Sequence, residues 1–287
     1  MGGRGRPGNP LFDLWLGWED GVVRVSAVVV GVDSNLPCLG VAFIAGEVGA
    51  AAEVLKACSS AGVELGDSIY LRGICTVAVV ELPWYRSFID FVEPRVKAYL
   101  GRYLGDFKRF KGLDLEWKRV NFAVPEAGLL RRRIRLCRLP ATVAEDLECL
   151  VLSWNREYQR RYNWSFKVAV GKICRAVSLL SRKNVVLVKL ENLRGIKRRN
   201  IAYLKRWSWT RLVKLVLGCT PERVGVALVD PSYTSSRCPV CRGWLKRKTY
   251  RMLICVNCGR EWHRDVAAAV NIALAEPRRM LRTPRSP

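Results

Sequence analysis

Apolar residues in this chain fall into two kinds of run. Near-continuous blocks of Val, Ile, Leu and Ala bounded by glycine, as in VVRVSAVVVGVDSN and CLGVAFIAG, predict strands buried on both faces. AAAEVLKACSSAG predicts a short helix, and SIYLRGICTVAVVEL a return to strand that ends at Glu81. From Trp84 to about Phe110 the spacing turns helical, with Phe88, Phe91, Val92, Val96 and Leu100 on one stripe and Pro94 as a break.

A second block starts near Phe110. KGLDLEW and RVNFAV read as strands, Pro125 to Gly128 as a hairpin turn, and LLRRRIRLCRL as a third strand with an arginine edge. A helix starts at Pro140 and carries through WNREYQRRY, acidic in its first turn and basic in its last; another spans about Phe166 to Ser181. The apolar strand that follows Asn184 delivers Glu191 at its C-terminal end, Trp207 to Leu217 is a further helix, and Val224 to Val229 a further strand.

The chemistry concentrates after that strand. Cys238-Pro-Val-Cys241 and Cys255-Val-Asn-Cys258 are separated by thirteen residues, and WLKRKTYRMLI between them reads as a hairpin that brings the two pairs together. Four thiolates on two tight turns suit a tetrahedral Zn²⁺, and a closed four-sulphur site is structural and not catalytic. Two disulfides are the rival reading, disfavoured in a chain without a secretion signal. His263 is the chain's one histidine and follows a ligand set already complete, so a packing or surface role suits it.

Tyr233-Thr-Ser-Ser-Arg-Cys-Pro-Val-Cys, Cys255-Val-Asn-Cys-Gly and Arg264-Asp-Val-Ala-Ala-Ala-Val-Asn-Ile together resemble the C-terminal half of TnpB-type (OrfB) transposon proteins, compact RNA-guided nucleases related to type V CRISPR effectors. The resemblance covers roughly the last hundred residues; Ala267 stands where that family usually has asparagine. It implies an α/β fold: an RNase H-like (RuvC) nuclease core with an inserted zinc ribbon and a small N-terminal α/β lobe. The expected plan is a basic tail over 1–20, the N-terminal lobe over 21–104, the nuclease domain over 105–275 with the ribbon at 233–262, and a second basic tail over 276–287.

Charge points the same way. The chain has 49 Lys and Arg against 25 Asp and Glu, a formal net charge of +24 over 287 residues. Such an excess favours a polyanionic partner, since phosphate contacts with counterion release dominate non-specific nucleic-acid affinity. No apolar run reaches the ~18 residues that span a bilayer, and Gly2 to Pro7 lacks the apolar core of a signal peptide. Of eleven cysteines, seven lie outside the ribbon and are expected as buried thiols, which suits a cytoplasmic location.

One histidine leaves little room for a Ser-His-Asp or Cys-His mechanism, so carboxylates with metal ions are the expected chemistry. Three acids in an RNase H-like site hold two divalent ions, and hard carboxylate oxygens suit Mg²⁺ or Mn²⁺. By resemblance Glu191 is the middle acid and Asp265 the last. For the first, two segments compete. Gly112-Leu-Asp114 has the preferred spacing, 77 residues before Glu191, and the expected elements after it; Gly31-Val-Asp33 has the more apolar strand but lies 158 residues before Glu191. Candidate phosphate contacts are Arg131, Arg132 and Arg133; Arg156 and Arg160 at helical spacing; Lys197, Arg198 and Arg199 soon after Glu191; and Lys246, Arg247 and Lys248 on the ribbon. The expectation is a metal-dependent DNA endonuclease acting on DNA, with a guide RNA as the partner the family implies. The alternative is a repurposed transposon product that binds nucleic acid without cutting it.

Overall fold

The computed structural model describes residues 27–35, 38–70, 74–84, parts of 91–101, 141–193 and 202–286. Asp114, Arg131, Arg132, Arg133, Lys197, Arg198 and Arg199, and the strands expected over 110–139, lie outside the described residues. The chain divides into two compact units: 1–82 with 168–196 and 206–287, and 83–167 with 197–205.

The first unit is built on a mixed sheet. Strands β1 (Ala27–Asn35), β2 (Cys38–Ala45), β3 (Leu65–Tyr70), β4 (Ile74–Glu81), β5 (Val185–Glu191), β6 (Gly225–Val229) and β10 (Pro277–Arg282) assemble in the order β10-β6-β5-β1-β2-β4-β3. β1 pairs with β2, β2 with β4, β4 with β3 and β6 with β10 in antiparallel, whereas β5 lies parallel to β1 and β6 parallel to β5. The glycine-bounded Val and Ile runs thus become central strands: Val28, Val30 and Val32 are buried on β1, as is every residue of β2 and β6. The sheet runs without interruption across the boundary expected near residue 104, because strands from 27–81 and from 185–229 are hydrogen-bonded neighbours.

Helix α1 (Val48–Ala61) follows β2 and ends in the left-handed Gly62, the αL conformation that closes many helices. Helix α2 (Ala141–Leu180) is a correction to the expected pair of helices: 40 residues run unbroken through Asn163 and Trp164, where no Gly or Pro interrupts the pattern. Helix α3 (Ala202–Cys219) precedes β6. Cys174 and Cys219, expected as separate thiols, are joined as a disulfide with Cα atoms 5.9 Å apart, while Cys38, Cys58 and Cys75 are buried and free.

Helix α4 (Arg264–Leu274) lies across β1 and β2, and the sequence explains how closely. A Cβ on Gly31 would come within 2.1 Å of the Ala269 carbonyl oxygen, and one on Gly40 within 2.2 Å of the Asp265 carbonyl oxygen. Glycine on the strands and alanine on the helix (Ala267, Ala268, Ala269, Ala273) therefore let backbone meet backbone. The segment expected as a C-terminal tail instead supplies edge strand β10, whose Arg282 side chain donates to the carbonyls of Val224, Leu217 and Thr220.

A separate three-stranded sheet joins β7 (Leu245–Arg247), β8 (Met252–Cys255) and β9 (Glu261–His263); β7 and β8 form the hairpin predicted between the cysteine pairs, and β9 follows the second pair. The second unit holds an aromatic cluster: Trp84, Phe91, Tyr158 and Tyr162 pack edge-on or stacked, and the Trp84 N–H donates to Ser165 Oγ. Arg156 and Arg160 lie exposed on α2, away from the buried Tyr158 and Tyr162. No helix among the described residues is long and apolar enough to cross a membrane.

Candidate functional site

The face of the sheet that carries α4 also collects the acids. Gly31 meets α4, so Asp33, two residues further along β1, is on the same face. Gly31 is in register with Lys189 on β5, whose Nζ donates to the carbonyls of Ala273 and Ala275 at the end of α4, both at 2.8 Å. Glu191, two residues beyond Lys189, therefore follows Asp33 onto that face at the adjoining strand end. Gly40, the cross-strand partner of Asp33, rests on the Asp265 peptide. Topology thus brings Asp33, Glu191 and Asp265 to one end of one face from positions far apart in sequence. Asp114, the preferred first acid, lies outside the described residues.

Each acid has a distinct setting. Asp33 and Asp265 are buried, at 5 % and 2 % exposed. Arg251 Nη1 donates to Asp265 Oδ2 at 2.7 Å and the Cys38 thiol donates to the same oxygen at 3.2 Å, with Arg251 Nη1 also 3.0 Å from Cys38 Sγ. Asp265 sits in the first turn of α4, where the helix dipole favours a negative charge. The half-buried Glu191 accepts from Thr234 Oγ1, and its backbone carbonyl accepts from the indole N–H of Trp209. Burial, first, pushes the Cys38 thiol up to about 12, with the Asp265 carboxylate reinforcing the shift, so Cys38 keeps its proton and donates it as a hydrogen bond to Asp265. Burial also holds His263 below the usual histidine range, and its Nδ1 is 3.9 Å from Asp265 Oδ2.

The cysteines behave as their spacing predicts. Sγ atoms of Cys238, Cys241, Cys255 and Cys258 all lie within 4.8 Å of one another; this is the one group of three or more metal donors so gathered among the described residues. Cys241 to Cys255 is 3.4 Å and Cys238 to Cys258 is 3.8 Å, close to the ~3.8 Å edge of a tetrahedron built on Zn–S bonds of about 2.3 Å. Backbone N–H groups of Cys258 and Asn257 hold the Cys255 thiol down to about 6 against burial, the direction that favours a thiolate ligand. The cluster is compatible with a structural zinc site. Cys238 and Cys255 also share a buried apolar cluster with Trp262, Val266, Ala267 and Val270, so the ribbon is packed onto α4; the Ala267 departure falls inside this core.

Residues 217–272 match the family model for the TNB domain of Cas12f1-like proteins. The matched segment holds all four ribbon cysteines and Asp265, the same residues on which the TnpB-type resemblance falls in the sequence. No curated protein matches the chain. Among solved structures, the cryo-EM structure of CasPhi-2 (Cas12j) bound to crRNA aligns with 88 % of this chain at a TM-score of 0.35 and 15 % identity; the chain covers 48 % of that protein's length.

The TNB-like segment contains several residues that motif reading passed over. Asn271, buried on α4, donates to the carbonyls of Thr234 and Arg237 at 2.7 Å each and accepts from Arg242 Nη1 at 2.9 Å. It ties the first cysteine turn to the acid-bearing helix, and Thr234 ties the same turn to Glu191. The Asn in the Val270-Asn271-Ile272 motif was the available signal; Cys38 and Arg251 had none, since their partner is remote in sequence. On the ribbon Lys246, Arg247 and Lys248 are exposed, and Lys248 pairs with Glu261.

Proposed function

We propose that this chain is a TnpB-like, metal-dependent DNA endonuclease with an RNase H-like (RuvC) core that begins at β1, acting through Asp33, Glu191 and Asp265. The observation that carries this reading is the convergence of two neighbouring parallel strand ends and the first turn of α4 on one face. Three consecutive antiparallel partners followed by parallel β5 and β6 agree with that core. Hard carboxylate donors fit Mg²⁺ or Mn²⁺, which when bound would activate water and stabilise the leaving oxygen of a phosphodiester.

The residues of the chain divide that work. Asp33 and Glu191 offer carboxylates from rigid strand ends, and Thr234 orients Glu191. Arg251 pairs with buried Asp265 at 2.7 Å and offsets part of the cost of holding a charge there. The net charge of +24 gathers the polyanion. We assign Arg156, Arg160, Lys246, Arg247 and Lys248 to phosphate contacts, and the cysteine cluster to a structural Zn²⁺.

One observation favours a second reading, a nucleic-acid-binding protein that does not cut: Asp265 is engaged by Arg251 and Cys38. Cleavage of labelled single- and double-stranded DNA with Mg²⁺ or Mn²⁺, with and without co-purifying RNA, separates the two. The nuclease reading expects Asp33→Asn and Glu191→Gln each to lower the rate roughly a hundredfold or more, the scale of losing a group that organises transition-state charge, while Asp114→Asn cuts normally. Loss in Asp114→Asn but not in Asp33→Asn would overturn the site; salt-sensitive binding without cleavage under every condition would establish the second reading.

A further inference from the structure

The first cysteine turn displays an aromatic pair to which the acid chemistry assigns no role. Tyr233 is 61 % exposed and Trp244 46 % exposed, with ring centroids 5.7 Å apart at 78°. The Arg237 guanidinium lies 3.6 Å from the Trp244 ring centroid, and the two residues form a cross-strand backbone bridge that holds the stack in register. Two large aromatics this open on a small hairpin do not serve a core. Tyr233 also occupies the left-handed region, φ 64°, a backbone conformation unusual for a residue with a ring.

The platform has a fixed address. Tyr233 immediately precedes Thr234, whose hydroxyl donates to Glu191, and Asn271 on α4 clamps the carbonyls of Thr234 and Arg237 on either side of the turn. Few rotatable bonds therefore separate the rings from the acids. We propose that Tyr233 and Trp244, backed by Arg237, form a stacking platform for unpaired bases of a DNA strand and position that strand beside Glu191. DNA as the occupant rests on the endonuclease reading above. The stacking itself is carried by the exposed rings, by Arg237 supplying positive charge at the ring face, and by the exposed Lys246 two residues along from Trp244. Paired bases keep their faces inside the duplex, so the platform selects single strands.

The test is equilibrium binding of the full chain to a fluorescein-labelled 15-mer of thymidine, an abasic strand of equal length and a 15-base-pair duplex, with no added Mg²⁺ so that cleavage does not enter. Trp244→Ala should weaken binding of the thymidine strand about tenfold and Tyr233→Ala about fivefold, as base–aromatic stacking warrants. Trp244→Phe should stay within about twofold of the parent. All should bind the abasic strand and duplex as the parent does, and zinc content per chain reports whether each variant keeps its ribbon. If Trp244→Ala loses zinc, the more exposed Tyr233→Ala carries the test. Parent-like binding of thymidine by the alanine variants, equal losses on abasic and base-bearing strands, or indifference of the parent to bases would overturn the proposal; the last two are what a protein-docking surface predicts. A platform confirmed in a chain that never cuts DNA would sink the nuclease reading and leave the stacking site standing.

Discussion

The cysteine cluster and the proposed acid site share one helix, α4, and are specified in opposite ways. Cys238, Cys241, Cys255 and Cys258 sit within 21 residues, on turns that need little more than their own hairpin to converge. Asp33, Glu191 and Asp265 span most of the chain and share one end of one sheet face only because β1 and β5 pair in parallel and Gly31 and Gly40 admit α4. A local site survives errors elsewhere in the fold, whereas a distributed site inherits every one. The two are nonetheless coupled through α4, since Cys238 and Cys255 share a core with Val266, Ala267 and Val270.

Removing zinc tests that coupling and should have the largest effect. Cys238→Ser with Cys255→Ser should abolish zinc binding, whose apparent free energy in small ribbons is about 10 kcal/mol or more. The expected readout is loss of stoichiometric zinc, with proteolysis spreading from the ribbon into α4. If α4 stays protected in the zinc-free variant, the sites are independent.

Arg251→Gln comes next. It removes the Arg251 guanidinium from buried Asp265, and breaking a buried pair costs roughly 3–5 kcal/mol. If Asp265 is a metal ligand, millimolar Mg²⁺ should recover part of that loss in the variant and less in the parent. Equal Mg²⁺ responses in thermal unfolding would detach Asp265 from the metal.

This contrast also sets what the sequence could disclose. Spacing alone is enough to gather the four cysteines, and strong strand runs are enough for β1, β2, β5 and β6. The first acid is not legible, because Asp33 and Asp114 each end a plausible strand; the parallel register of β1 with β5 sets Asp33 beside Glu191, and Asp114 lies outside the described residues. Spacing favours Asp114 because Asp33 lies 158 residues before Glu191, and α2 alone occupies 40 of those residues. The sequence reads α2 as two helices, and the backbone carries it through 163–165 without a break. β10 was read as a tail because its arginines looked solvated, whereas Arg282 turns inward onto three carbonyls. Arg251 and Cys38 needed the fold itself.

A smaller perturbation probes the approach of helix and sheet. Gly40→Ala places a methyl carbon 2.2 Å from the Asp265 carbonyl oxygen, which belongs to backbone and yields only if α4 moves. Overpacking of this kind costs roughly 1–3 kcal/mol. Cleavage should fall further than stability explains, because the atom displaced belongs to a proposed ligand. Loss of stability with undiminished cleavage by the folded fraction would show that the pocket tolerates a shifted α4.

The smallest expected effect tests whether the other end of α4 is held by a charge. Lys189 is buried and its Nζ spans the Ala273 and Ala275 carbonyls; burial pulls it from its ordinary 10.5 down to about 8, with Glu276 opposing. The folded value lies below the unfolded one, so between pH 8 and 10.5 the unfolded chain binds more protons and stability rises with pH. Cys58 and Cys75, raised by burial to about 12, act in the opposite sense above about pH 9. The clean window is therefore pH 8 to 9, read as the difference between the parent and Lys189→Met, in which the thiols cancel. Across it the parent should gain about 1 kcal/mol relative to the variant in denaturant unfolding. A difference that stays flat across that window would mean that Lys189 keeps its proton and caps the helix as an ammonium, and that the strand delivering Glu191 is tied to α4 by a permanent charge.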